Sequence, residues 1–537
     1  DPDLFPTYLD LLNAFENPLS SRIPNADYQH NDPRVGFLPP ENQSYPLVME
    51  RIATLFDAPD APDLSIGLHP WAQRSVGVHG GLSLLQSRST LIFSGPGVRV
   101  GATLEKSANL VDIAPTILAM LGANTVGGVG HDGVYDDGLY LGWQDGRVLT
   151  EIFEPESCAR PMQALVILFD GLLPTELLHQ LDTEKPDIDL PNFRRVRATG
   201  TTFQTGAVSN FPSVSAPGHM TAGSGVWSGH HGVIANSVFK RTTRERVSVF
   251  TLMDDIQGTL SNPQQLYEIY EASVSKEVET LAQAVHRNFG TYDAEKNTGA
   301  FTAVLNDLPI GGADYTTVDF LVAGGAGSTA GASVTTYGMA DSLAINQVET
   351  LLGGSEFPVP KLLEVSLFTT DAAGESNGPH SDLLRLVLKD MDNALGQILD
   401  AYEERGALDK TLIVLTSDHG MELQDPSRHH DLSTSFTTSG VKIHNGGSGL
   451  LYLPTMRLET IESSSPGELS LKIVDHWNDQ GIEGVVLDCA SCSPTQQISN
   501  AAGEVILRPE TGTKTLEITA THDTYNPQTM NSPWPIP

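Results

Sequence analysis

Leu412-Ile413-Val414-Leu415-Thr416-Ser417-Asp418-His419-Gly420 is the stretch on which the fold turns. A short apolar run of strand length, closed by the polar Asp-His-Gly, reads as a buried parallel strand whose carboxyl end carries chemistry. Two other runs have the same form: Ala164 to Phe169 followed by Asp170-Gly171, and Glu364 to Phe368 followed closely by Asp371. Helix-length segments separate the three. Strand, helix, strand repetition with polar strand ends predicts an α/β fold, a doubly wound and mostly parallel sheet with helices on both faces. Ligands of such a sheet sit beyond the carboxyl ends of its strands, so three strand ends are expected to converge on one crevice.

Outward from these strands, the 537 residues hold 31 Lys plus Arg against 66 Asp plus Glu, a net charge of −35, with 39% apolar and 18% charged residues. That apolar content excludes disorder as the main state. With no basic run to offset the acidity, there is no evident nucleic-acid-binding surface, and an anionic membrane is disfavoured as principal partner. An anionic substrate must then be met by a local positive centre, for which bound metal cations are the natural source. No apolar run approaches the roughly 18 to 20 residues that span a bilayer. Cys489-Ala490-Ser491-Cys492 offers either a small disulfide or two unpaired thiols. A first residue of Asp1 rather than Met fits a removed export signal or a trimmed chain. The expected location is extracellular or periplasmic, and the oligomeric state leaves no mark in the sequence.

Residues 1 to about 60 read as an irregular lead-in rich in Pro, Asn and Asp, with one helical stretch near Leu47 to Phe56. A buried strand, Thr90 to Ser94, a turn at Gly95-Pro96-Gly97 and a helix from Ala114 to Leu121, stopped by Gly122, follow. Between Lys240 and Lys361 the chain is poor in strand-end acids and carries a helical run, Leu266 to Phe289. This stretch is expected to be an insertion capping the crevice. Its Gly-rich part, Ala323 to Gly331, reads as a loop, because it lacks the Lys and spacing of a P-loop. The organisation expected is a catalytic core over 160–239 and 361–453, a cap over 240–360 and a peripheral tail with short strands, such as Glu504 to Leu507, over 454–537.

Asp170, Asp371, Asp418 and His419 bring hard oxygen ligands and an imidazole to strand ends, the composition of a divalent metal site. A lone Asp there is more often a cap or turn former, but four such residues in succession exceed what capping needs. Adjacent Asp418 and His419 diverge from one strand end and can serve two neighbouring metals. Two metals can clamp both the attacking and the leaving oxygen of a phosphoryl group. Between these ligands lie Phe211-Pro212-Ser213-Val214-Ser215-Ala216-Pro217-Gly218-His219 and His230-His231-Gly232-Val233-Ile234-Ala235-Asn236. A Ser opening a helix is commonly a cap, but here it would also be aimed at the metal crevice, where coordination makes a hydroxyl nucleophilic. His219, His230, His231, His429 and His430 read as solvated or structural.

Phe169-Asp170-Gly171, the segment Pro212 to His219, His231-Gly232-Val233 with Asn236, Asp371 with Gly374 and Gly378-Pro379, and Ser417 to Met421 stand in a specific order. In that order the chain resembles the alkaline phosphatase superfamily, most closely its nucleotide pyrophosphatase/phosphodiesterase branch, over most of 160–453. The resemblance implies an alkaline phosphatase-like catalytic domain, two divalent metal ions, zinc first among them, and a small-molecule phosphate ester as substrate. It implies Ser215 as the nucleophile, ionised on a metal, because the family nucleophile stands two residues before the Pro of Pro-x-His; Ser213 is the fallback. Asp170, Asp418 and His419 would hold one metal and Asp371 the other, with Asn236 on a non-bridging phosphoryl oxygen.

Two departures matter. Glu375, in Asp371-Ala372-Ala373-Gly374-Glu375, stands where the family has a metal-binding His. A Glu can ligate and favours a harder ion such as manganese at the Asp371/Glu375 site; ligation by His380 and a weakened site are the alternatives. Segments that normally follow Asp-His-Gly stand here at the N-terminus, as His79-Gly80-Gly81, Leu91 to Ser94, Gly95-Pro96-Gly97 and Asp112 to Thr116. The expectation is a circularly permuted chain in which 1–153 completes the sheet begun at 164. His79 then returns as the last ligand of the Asp371 metal, with His444 as its rival and a separate N-terminal remnant as the competing organisation.

The expected activity is metal-dependent hydrolysis of phosphate esters, a phosphodiesterase acting through a phosphoseryl intermediate. A sulfatase or phosphonate hydrolase of the same superfamily and a catalytically decayed binding protein are the alternatives. Cys492-Ser493-Pro494-Thr495-Gln496 matches a sulfatase segment only in part, since it lacks the Arg.

Overall fold

The structure, a computed structural model, describes residues 45–67, 76–155, 157–241, 243–248, 274–317, 333–423, 439–463 and 465–534. The chain divides into two compact units, 1–61 with 67–237 and 248–430, and 62–66 with 238–247 and 431–537.

In the first unit the strands that matter are β1 (Gly77–Val78), β2 (Leu91–Ser94), β3 (Ala102–Leu104), β4 (Gln163–Phe169), β5 (Gly200–Phe203), β6 (Thr302–Leu305), β7 (Tyr315–Thr317), β8 (Leu362–Leu367), β9 (Thr411–Thr416) and β10 (Glu422–Leu423). The helices are α1 (Ile113–Leu121), α2 (Ser215–Ser224), α3 (Leu281–Phe289), α4 (Val334–Gly353), α5 (Thr369–Asn377) and α6 (Asp382–Glu404). An eight-stranded sheet runs β7-β6-β8-β4-β9-β2-β5-β3. Its pairs are parallel except those that β2 makes with β9 and with β5.

Alternation along β4 explains why these strands are apolar throughout. Leu165, Ile167 and Phe169 enter one buried cluster with α4 and α6, and Ala164, Val166 and Leu168 enter another with α1 and α3. A period of two sends successive side chains to opposite faces, and helices cover both, so neither set of positions tolerates charge. This is the doubly wound α/β architecture that the strand ends predict. Helix α1 stops where expected, at Gly122, in the left-handed conformation at φ 75°.

The expected cap does not hold for the described part of 240–360. Strands β6 and β7 extend the sheet beyond β8, while α3 and α4 cover its two faces. Phe301-Thr302-Ala303-Val304-Leu305-Asn306-Asp307 is another short buried run closed by polar residues; its acid stands two positions past the strand and so escapes a search for acids at the strand end itself. Of the helix expected over 266–289, residues 266–273 lie outside the described ones; the described part turns helical at Leu281, where Thr280 accepts from Gln283 N in a capping box. Residues 1–44, the Gly-rich stretch 323–331, His429 and His430 lie outside the described residues.

The second unit begins earlier than 454. Leu450–Tyr452 pairs with Leu64–Ser65 and with His444–Gly447. Beyond it, a three-stranded and a four-stranded sheet enclose Leu471, Ile473, Leu487, Leu507, Leu516 and Ile518. Cys489 and Cys492 form a disulfide there.

Candidate metal centre and nucleophile

Strands β8, β4 and β9 are parallel neighbours, so their carboxyl ends open on the same side. Asp170 follows β4 directly, Asp418 and His419 follow β9, and Asp371 lies in the first turn of α5, just after β8. Gly171 lets the turn after β4 approach α5. Its φ is +65°, and a Cβ there would lie 2.7 Å from Asp371 Oδ1. Thr370 Oγ1 donates to the Asp170 carbonyl at 2.5 Å, tying the two strand ends together.

Asp170, Asp418 and His419 each have one atom anchored and one left over. Asp418 Oδ1 accepts from Gly171 N at 3.0 Å, and Asp170 Oδ2 faces His219 Nε2 at 3.4 Å. His419 Nδ1 meets the Gly420 carbonyl at 2.9 Å, which makes Nδ1 the donor and leaves a lone pair on Nε2. The remaining atoms, Asp170 Oδ1, Asp418 Oδ2 and His419 Nε2, are buried and without a hydrogen-bond partner. They converge: His419 Nε2 is 3.4 Å from Asp170 Oδ1 and 3.2 Å from Asp418 Oδ2. Asp371 Oδ1 is a fourth such atom. Buried polar atoms are normally paired, and four orphans facing one another are what a cation would satisfy.

The electrostatics agree with the geometry. Burial, then the Asp418 charge, push the Asp170 carboxyl up to about 7; burial, Glu375 and Asp170 push Asp371 well above the carboxylate range. Burial lowers His419 to about 4 and so keeps its imidazole neutral, the form that ligates. The crevice thus holds excess negative charge and a neutral imidazole, a donor set that fits divalent cations.

His79 joins this set. It follows β1, which pairs antiparallel with β10 just beyond the Asp418-His419 loop. Its ring stacks on His419 with centroids 4.0 Å apart and planes 10° apart. Nδ1 meets the Ser213 carbonyl at 3.2 Å, and Nε2 lies 3.1 Å from Glu375 Oε1 and 3.8 Å from Asp371 Oδ1. Burial lowers its pKa, but the Asp371 and Glu375 carboxylates outweigh burial and raise it to about 10. His79, Asp371 and His419 form one group of close ligand atoms, and Asp170, Asp418 and His419 another. His419 belongs to both, whereas the family resemblance implies it in one.

His380 Nδ1 is held by Glu176 at 2.9 Å; His444 belongs to the second unit, where it stacks on Phe239. Ser213 Oγ is spent on the Gly81 carbonyl at 2.7 Å. Ser215, 7% exposed, opens α2 and makes no hydrogen bond among the described residues. Asn236 Oδ1 accepts from Ala216 N at 2.8 Å and is thereby fixed beside it. Gly218, within α2, is what allows this contact with the strand end, since a Cβ would stand 2.7 Å from Asp418 Cβ.

His231 is structural, its Nε2 on Thr221 Oγ1 at 3.1 Å, and His230 is held by Asp145. His219 is different. Set aside as structural by sequence, it is buried against Asp170 with Asp307 on its other ring nitrogen. The form of 301–307 was the signal for Asp307; for His219, its position one turn after Ser215 was the only one.

A family model described as type I phosphodiesterase / nucleotide pyrophosphatase matches residues 164–513. Comparison with curated proteins gave no match. The chain is similar to solved structures of murine ectonucleotide pyrophosphatase / phosphodiesterase 5, one of them an inactive variant in complex with AMP, at 15% identity and a TM-score of 0.35. That similarity covers 58% of this chain and 66% of the murine one, so this chain spans just under two thirds of its relative's length. The human enzyme of the same name is similar at 13% identity and a TM-score of 0.34, over 69% of this chain and 87% of that one.

Proposed function

The chain belongs to the type I phosphodiesterase / nucleotide pyrophosphatase family, and from that premise we propose that it hydrolyses small-molecule phosphodiesters through a phosphoseryl intermediate on Ser215. The observation that carries the reading is the convergence of Asp170 Oδ1, Asp418 Oδ2, His419 Nε2 and Asp371 Oδ1, buried and unpartnered. Asp170, Asp418 and His419 would hold one divalent cation; His79 and Asp371, with Glu375 beside them, would hold a second. When bound, such cations, zinc or at the Glu375 end a harder ion such as manganese, supply Lewis-acid stabilisation of phosphoryl oxygens and lower the pKa of a bound hydroxyl or water.

The chain's own groups do the rest. Ser215 Oγ attacks phosphorus from the N-terminus of α2, where the helix dipole favours its anionic form. The Oγ–P bond forms as the bond to the leaving alkoxide breaks. The proton given up by Ser215 ends on the leaving alkoxide through solvent; water then attacks the phosphoseryl phosphorus, the Oγ–P bond breaks, and one proton of that water passes to Ser215 Oγ as phosphate monoester leaves. Asn236, fixed against Ala216 N, would donate from its amide nitrogen to a non-bridging oxygen in both steps. With no Arg or Lys in 211–219, the segment carries no side-chain cation for the second charge of a monoester, which supports diester preference.

A circularly permuted order is part of the proposal. It is supported by a family match that begins only at 164 and by the entry of β2 and α1 into the same sheet and core. Export is supported by the disulfide, and no described helix is long and apolar enough to cross a membrane. The test is turnover of a chromogenic phosphodiester by metal-stripped protein, titrated with zinc and separately with manganese, beside Ser215→Ala. Activity restored by metal and absent in the variant is expected; a monoester turned over faster than the diester, or no turnover with any ion, overturns it.

A further inference from the structure

Asp170 is the only one of the converging carboxylates whose anchored oxygen is held by a side chain not yet given a role. His219 lies one helical turn beyond Ser215 on α2, fully buried. Its Nδ1 is 2.6 Å from Asp307 Oδ1, and its Nε2 is 3.4 Å from Asp170 Oδ2 and 3.9 Å from Asp418 Oδ2. Asp307 is itself immobilised from the sheet: Oδ1 also accepts from Leu308 N at 2.6 Å, and Oδ2 accepts from Ser366 Oγ, on β8, at 2.5 Å. The ring is pressed flat on Phe368, with centroids 5.1 Å apart and planes 2° apart.

This clamp has a chemical consequence. The two oxygens of Asp170 are made unequal: Oδ2 is occupied by His219, and Oδ1 remains, unpartnered, 3.4 Å from His419 Nε2. With both ring nitrogens facing carboxylates, Asp307 at 2.6 Å and Asp170 at 3.4 Å, the ring donates to both as an imidazolium; without it Oδ2 would lose that contact, and Oδ1 and Oδ2 would be free to exchange places at the crevice.

We propose that His219, pinned by Asp307 and Phe368, is a positioning residue that presents Asp170 Oδ1 to a divalent cation, and that the pair sets the metal affinity of the Asp170/Asp418/His419 group. The proposal rests on the reading of that group as a metal site. Because His219 shares α2 with Ser215, the same clamp fixes the helix carrying the nucleophile to the ligand it serves.

The test is the dissociation constant for zinc and for manganese, measured on the metal-stripped full chain by competition with a chelator. Wild type, His219→Leu, His219→Gln, Asp170→Asn and the double variant His219→Leu/Asp170→Asn are compared. Leu fills the space without a donor and is expected to weaken binding about 10- to 100-fold. Gln keeps one donor and should fall between. In the Asp170→Asn background, His219→Leu should have no further effect. Equal affinity in His219→Leu and wild type, or the same loss in both backgrounds, overturns the proposal, the latter by showing that the ring acts through general packing. Thermal melts of the stripped proteins report folding; should the Leu variant be unfolded, the Gln variant decides, with wild-type affinity counting against the proposal. A wild type that binds no metal removes the underlying functional reading as well, whereas a metal-dependent wild type with an unaffected His219→Leu removes this inference alone.

Discussion

Asp170, Asp418 and His419 grow from two neighbouring parallel strands, whereas His79, Asp371 and Glu375 come from a loop after a two-residue strand and from successive turns of one helix. The first group is buried, and its members each keep one atom tied to backbone or to His219. The second is partly open, with the Glu375 side chain 40% exposed, and its charges answer one another through His79. The contrast teaches that a sheet can hold a donor set rigid against its own repulsion. A set assembled from loop and helix is instead tied together by His79, whose Nε2 faces both Asp371 and Glu375. The first end is anchored to the sheet, and the second, with Glu375 at its open side, is less constrained.

The largest effect should come from the hydroxyl both ends serve. Ser215→Ala is expected to lower phosphodiester turnover on the order of 10⁴-fold or more, as for other covalent nucleophiles, while Ser213→Ala stays within a few-fold. The reverse ranking would mean that the wrong serine faces the crevice.

Next comes the difference between the ends. Asp418→Asn, by removing a ligand, should weaken metal binding beyond the about 100-fold that loss of an outer partner costs. Glu375→Gln should stay within roughly 10-fold while shifting preference from manganese toward zinc, because a neutral amide is a poorer partner for a hard ion. Equal losses would erase the distinction. His79→Ala should reduce the metal bound per chain, with His444→Ala leaving it unchanged; metal analysis of the dialysed proteins decides between them.

The smallest effect sharpens the contrast in rigidity. A Cβ on Gly218 meets Asp418 Cβ at 2.7 Å, held by the sheet, whereas a Cβ on Gly374 meets the Met421 thioether, which can swing aside. Gly218→Ala should cost about 1–3 kcal/mol from overpacking, with Gly374→Ala costing clearly less, as read by denaturant unfolding of the stripped proteins.

Asp170, Asp418 and His419 were legible because an apolar run and its ligand are contiguous: the strand that buries itself also aims the residue after it. Ser215 and Asn236 were reached through the family resemblance of two segments, 212–219 and 231–236. His79 lies far from its partners in sequence, and only the family resemblance pointed to it; nothing local in Val78-His79-Gly80 distinguishes a ligand from a loop histidine. His219 and Asp307 each left a local mark, but they meet through space across β8, and no periodicity encodes their pairing. The cap was misread because β6 and β7 are too short to stand out, and their identity as strands comes from pairing with β8 and with each other.

One feature of the sheet bears on how the protein is made. Strand β2 is flanked by β5, which follows it at moderate distance, and by β9, which lies far toward the other end of the chain. A nascent chain leaving the ribosome can pair Leu91-Ile92-Phe93 on one edge soon after β5 emerges, yet the other edge stays open until Thr411–Thr416 has been synthesised. An apolar edge left open that long is a template for pairing with other chains until its partner strand arrives.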